Sequence, residues 1–331
     1  MSSLKYLFCF WIAAIGTAFG QVTLSPHEHI SRLNSQGGLP EKLLSTRSAV
    51  FAHHSVTQKE AEEIQQTFQR SGIDAIVYFD LDMLFANADA TIAFSGYLTK
   101  REIQNLVFVE KADSLFTFTI TAFNGKGSLI DDQQAAWSTS HRLLTEALKT
   151  IYRTTSQQKK LNLLINDSPE PEEAINPIVG KRNEFYASDL KVDLLAVPKT
   201  GNEAVDRQLE EIFQNNYPLK FRMTEPGIAE KDLRRQGFLY VLGSMHTRGE
   251  IIKQLLGYDM KKAETAYVSV VYRDGQQQLK TIRADVPVYK FYFKHIDSGN
   301  VFLGTKWDAD TEWHDALLNH ILAMKAELRI N

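Results

Sequence analysis

From Val288 to Ile296 the side chains fall into two alternating sets. Tyr289, Phe291 and Phe293 lie on one face of an extended chain, and Lys290, Tyr292 and Lys294 on the other. A period of two marks a half-buried strand. Asp297-Ser298-Gly299-Asn300 supplies the residues a tight turn needs, and Val301–Gly304 reads as the return strand. From about Thr311 the period changes, and Trp313, Leu317, Ile321, Met324 and Leu328 recur at helical spacing. This pattern predicts a hairpin sealed by an apolar helix, with Lys290, Tyr292 and Lys294 left on the exposed face as candidate binding residues.

The same pattern of elements occurs earlier. A strand is predicted over 48–53, then a helix over 57–70, where Thr57 and Glu60 have capping-box spacing and Gly72 is the stop. The near-continuous apolar run 73–79 predicts a central strand covered on both faces. A helix near 98–104, strands over 106–110 and 115–123, and a closing helix carrying Trp137, His141, Leu144, Leu148 and Ile151 complete a first unit, 48–153. Residues 154–190, with Pro169, Pro171 and Pro177 among Glu170, Glu172 and Glu173, read as a linker. A second unit, 191–331, repeats the order with strands at 192–197, 219–223 and 238–242 and helices at 203–214 and 229–235. It carries an insertion over 248–284 that contains a helix and a hairpin turning at Asp274-Gly275. Phe118 matches Phe293, and Trp137 matches Trp313, at nearly one offset. The predicted class is α/β: two tandem, related small domains, each a mixed sheet packed by helices and closed by a hairpin and helix. The segment 21–47 reads as an exposed arm. Its His27-Glu28-His29 lacks the second histidine position of a zinc-protease helix, which Ser31 occupies.

Composition adds the compartment. The chain has 331 residues, 44% of them hydrophobic, enough for about two domains. Lys5, the apolar run Tyr6–Ile15 and Ala18-Phe19-Gly20 form a signal peptide over 1–20, with cleavage expected before Gln21. That run is shorter than a spanning helix requires. The single cysteine, Cys9, lies inside it and lacks a lipobox, so the mature chain has no thiol chemistry and no disulfide. A cysteine-free exported chain fits a bacterial periplasm or secretion. Removing Lys5 leaves 36 of 37 basic residues against 40 acidic, a net charge near −4, which offers no electrostatic case for nucleic acid.

Gly237-Phe238-Leu239-Tyr240-Val241-Leu242-Gly243-Ser244 and the stretch Phe291–Gly304 are similar to the "strand ending in Gly-Ser" and "strand, Asp, turn Gly, strand" pieces of the α/β domain shared by the TolB amino-terminal domain, curli-secretion-type lipoproteins and penicillin-binding-protein activator lipoproteins. The resemblance implies a non-catalytic envelope domain that binds another protein, with no cofactor and no catalytic residues to carry over.

One stretch points elsewhere. Ala75–Phe85 resembles the first motif of haloacid-dehalogenase-type phosphatases, which implies Asp80 as nucleophile, Asp82 as general acid and a bound magnesium. Ser95 would stand in the second motif, and Asp167 with Glu170 in the acidic metal motif. Met83 and Leu84 depart from that pattern. Other candidates are His53-His54 for a metal and Trp307, Asp308, Asp310 and Trp313 for stacking on a sugar. His53 and His54, as neighbours on a strand, are expected on opposite faces. His141 and His320 read as core histidines on helices. No P-loop, dinucleotide fingerprint or Gly-x-Ser-x-Gly occurs.

Overall fold

The capping box forms as the spacing predicts: the Thr57 hydroxyl accepts from the Glu60 N–H, the Glu60 carboxylate accepts from the Thr57 N–H, and Gly72 ends the helix at φ 93°. The computed structural model describes residues 25–330 except 163–164, 166–167, 171–173, 261–263 and 274. The expected signal peptide and Asp167 lie outside these residues.

The first unit runs α1 (Pro26–Ser31), β1 (Arg47–Ala52), α2 (Gln58–Ser71), β2 (Asp74–Asp80), α3 (Leu81–Leu84), α4 (Ala88–Lys100), β3 (Ile103–Ala112), β4 (Leu115–Ala122), β5 (Ala136–His141) and α5 (Leu144–Thr155). Its strands lie in the order β2-β1-β3-β4-β5. β1 pairs parallel with β2 and β3, and the other two pairings are antiparallel. The second unit runs β6 (Arg182–Asn183), β7 (Leu195–Pro198), α6 (Glu203–Asn216), β8 (Phe221–Thr224), α7 (Glu230–Arg235), β9 (Tyr240–Arg248), α8 (Gly249–Leu255), β10 (Ala266–Arg273), β11 (Gln276–Arg283), β12 (Pro287–His295), β13 (Val301–Phe302) and α9 (Trp313–Leu328). Its main sheet is ordered β8-β7-β9-β12-β13-β6. The first five strands of that order repeat the strand order and pairing directions of the first sheet, although β9 reaches β12 through α8, β10 and β11 where β3 turns directly into β4. The fold is therefore α/β, with two separate mixed sheets.

Alternation along the strands sends alternate side chains to different layers. Val50, Val107, Val109 and Phe118 pack under α2 and α5, whereas Phe51, Phe79, Leu106 and Phe108 face the other way. On β12, Phe291 and Phe293 pack with α6 and α9, and Val288 and Tyr292 face the first unit. One apolar cluster joins the inner faces of both sheets to α3, α4 and α8. No helix among the described residues is long and apolar enough to cross a membrane.

Several expectations are corrected. Trp137 lies on β5 rather than on a helix, so it does not correspond to Trp313, the first residue of α9. The predicted helix at 98–104 is the end of the longer α4, and β3 begins at Ile103. β2 is an edge strand whose Ile76 carbonyl accepts from the Glu170 N–H. Far from being a free linker, the segment after α5 pairs as β6 with β13, and Gly180 lies so close to the hairpin turn that a Cβ there would meet the Asn300 nitrogen at 2.4 Å. The N-terminal arm is docked rather than exposed. Ile30 and Leu33 are buried, and the His29 ring stacks on Phe85 at 4.3 Å.

Candidate functional site

Asn87, between α3 and α4, joins the two units. Its Oδ1 accepts from the Ala90 N–H at 2.8 Å and caps α4, which leaves the amide to donate across to the Ser244 carbonyl (3.1 Å) and the Tyr292 hydroxyl (2.9 Å). The Tyr292 hydroxyl in turn donates to Asp89 at 3.3 Å. Its ring lies over Gly243, its cross-strand partner, where an added Cβ would come within 2.3 Å of the ring. Two residues on, the Lys294 ammonium lies 2.9 Å from Asp89 and 2.7 Å from Glu230. The strand face expected to be exposed is therefore interior: Lys290 is 0%, Tyr292 2% and Lys294 7% exposed. A strand lysine ordinarily marks solvent, but here each finds a carboxylate distant in sequence.

Beside these residues opens a cleft of about 650 Å³, walled by the start of α4 from the first unit and by Lys199, the loop 224–230 and β9 from the second. It lies at the carboxyl ends of β7 and β8. The crossovers from β7 to β8 and from β8 to β9 diverge there, and doubly wound sheets bind ligands at such a point. Ile92, 60% exposed, stands in its wall. Burial pushes the Lys294 ammonium down, but Asp89 and Glu230 outweigh burial and raise it above the usual lysine value. Thr224 also lines the cleft, and its buried hydroxyl has no hydrogen-bond partner.

Asp80 and Asp82 stand at the carboxyl end of β2, where Asp80 caps α3 by accepting from the Asp82 N–H. Both carboxylates, with Glu250, are ion-paired to Arg248, whose side chain is 5% exposed. His54 Nδ1 is 3.6 Å from Asp82. His53 and His54 lie beyond β1, and their rings come together at 4.1 Å instead of pointing apart. Burial and the neighbouring His54 lower the His53 pKa. Ser95 is buried on α4. Glu170 pairs with Arg101 and sits beside Ile76, about 13 Å back along β2 from Asp80. Glu170 thus does not reach Asp80. Among the described residues, no group of three or more His, Cys, Asp or Glu is arranged to hold a metal ion.

Asp308 is buried, not surface-accessible. Its Oδ1 lies 2.6 Å from the Lys290 ammonium and its Oδ2 2.9 Å from His320 Nδ1. Lys290 also donates to the Leu303 carbonyl at 3.0 Å. Burial opposes the charge on Asp308, but Lys290 and His320 outweigh it and hold the carboxyl below its usual range. Burial and Lys290 push His320 down to about 4. Trp307 packs edge-on against Tyr258 and Tyr267, and the Lys253 ammonium lies 5.1 Å from its ring, so the expected stacking surface is filled by the chain itself. Asp310 pairs with Lys280, and Glu312 is the residue before α9.

Sequence reasoning passed over Asn87, Asp89, Gly243, Glu230 and Arg248. Asn87-Ala88-Asp89 does carry a helix-start signal. The pairing of Arg248 with Asp80 and Asp82 spans more than 160 positions and has no local signature. Compared with known proteins, the chain matches no family model and no curated sequence.

Proposed function

We propose that the chain is an exported, soluble protein of the bacterial envelope that acts without catalysis, by holding a protein partner in the cleft between its two units. The observation that carries this reading is the cleft: about 650 Å³, at strand carboxyl ends, with walls from both units. Such a volume is typical of a ligand pocket. The non-catalytic part is supported by Arg248. A nucleophilic aspartate needs an oxygen free to attack, and Asp80 and Asp82 are both tied to that guanidinium. Export rests on the signal-peptide pattern of residues 1–20 and on the cysteine-free remainder.

Ile92→Arg tests the reading, because Ile92 is exposed and the change leaves the core intact. It is expected to abolish cross-linked capture of a partner from native envelopes while the circular dichroism spectrum stays unchanged. Undiminished capture would overturn the cleft as the binding surface. Magnesium-dependent phosphate-ester release that Asp80→Asn abolishes would overturn the non-catalytic part.

A further inference from the structure

Resting on that reading, we infer that the cleft takes a cation: a lysine or arginine side chain of the partner, with its stem along the apolar wall and its charge against Asp89 and Glu230. Around Lys294 two carboxylates face one ammonium, so the group carries a net charge of −1. The remaining charged pair in the wall, Lys199 with Glu225 at 2.6 Å, is balanced. The side chains of Asp89 and Glu230 in the cleft wall are 28% and 39% exposed, whereas that of Lys294, in the same wall, is only 8% exposed. A ligand therefore meets carboxylate oxygen before it meets ammonium. The upward shift of Lys294, against strong burial, reports the same negative potential. Apolar surface is also present: Ile92, Ile228, Leu233 and Val241 line the space, which suits the methylene stem of a long basic side chain. Thr224, 6% exposed, adds a hydroxyl with no hydrogen-bond partner.

Three probes with one stem separate charge from shape: hexylammonium, hexanoate and hexanol, titrated into the full mature chain and followed by amide shifts of Gly227 and Gly243. Hexylammonium is expected to bind at least about tenfold tighter than hexanoate, equivalent to about 1.4 kcal/mol. Glu230→Gln is expected to remove that preference without loss of fold, and Asp89→Asn to do the same should Glu230→Gln not fold. Added hexylammonium is also expected to release the captured partner, which distinguishes a basic side chain in the cleft from a free amine ligand. Hexanoate binding as well as hexylammonium, or partner capture indifferent to hexylammonium and to Glu230→Gln, would overturn the cation inference. If Ile92→Arg still abolished capture in that case, the cleft reading would stand. If capture also survived Ile92→Arg, both would fall.

Discussion

At Asn87 one side chain performs two jobs that substitutions can separate. Asn87→Asp keeps an acceptor for the Ala90 N–H but loses both donated bonds and adds charge beside Asp89. Asn87→Ala loses all three. A lost cap costs about 1 kcal/mol and a buried group left unpaired about 1–3 kcal/mol. Urea unfolding is therefore expected to show Asn87→Ala destabilised by about 2–4 kcal/mol, and Asn87→Asp destabilised nearly as much although its cap survives. An Asn87→Asp protein as stable as the parent would show that the contacts to the second unit contribute nothing. Next to it, Gly243→Ala must displace the Tyr292 ring, an overpacking loss of about 1–3 kcal/mol. Neither role was legible beforehand. Each depends on a partner on another strand or in the other unit, and local spacing carries only the helix cap.

Among elements, those with their own start and stop signals were the legible ones. Thr57, Glu60 and Gly72 bound α2, and the two-residue alternation of β12 places Phe291 and Phe293 on one face and Tyr292 on the other. β5 failed to show because its strand character lies in polar residues: Ser138 and Ser140 meet the hydroxyls of Thr119 and Thr117 across the ladder, and the apolar residues alone continued a helical period into α5. α4 gives little periodic contrast because Ile92, Gly96 and Thr99 stand on its exposed side where charges would mark solvent, although Ala90, Phe94, Tyr97 and Leu98 bury one face at helical spacing. Burial of Lys290 makes a sharp prediction at this scale. Lys290→Met leaves the Asp308 charge buried with only His320 beside it and is expected to lose about 3–5 kcal/mol, whereas Lys290→Met with Asp308→Leu loses clearly less. Simple addition of the two single losses would contradict the pairing. The pH dependence follows from histidines on α1 and α9. His29 and His320 are both pushed from 6.5 to about 4 in the folded chain, burial being the largest cause at each. Between those values the unfolded chain binds protons that the folded chain refuses, so stability is full above pH 6.5 and falls as pH drops towards 4. Urea midpoints at pH 7.5 and 5 are expected to show that loss, and His29→Gln to reduce it.

In the whole molecule, the cluster running from Phe51 and Phe79 through α3 and α8 to Met245 and Val288 makes the two units share one interior. Thermal unfolding is expected to be a single transition. Arg248→Leu should lower it, because it leaves Asp80 and Asp82 facing each other without a cation. The loss is about 2–4 kcal/mol, discounted from the fully buried figure because Asp80 is 23% exposed. Two resolved transitions in the parent would show that the units are independent. The most direct measurement places a photo-crosslinking residue at position 92, in the cleft wall, and separately at position 268 on β10, which is 54% exposed and not part of the cleft walls. Irradiated in native envelopes, the protein labelled at 92 is predicted to trap one discrete protein partner and the protein labelled at 268 none. Trapping from 268 alone, or the same products from both positions, would contradict a partner held between the units.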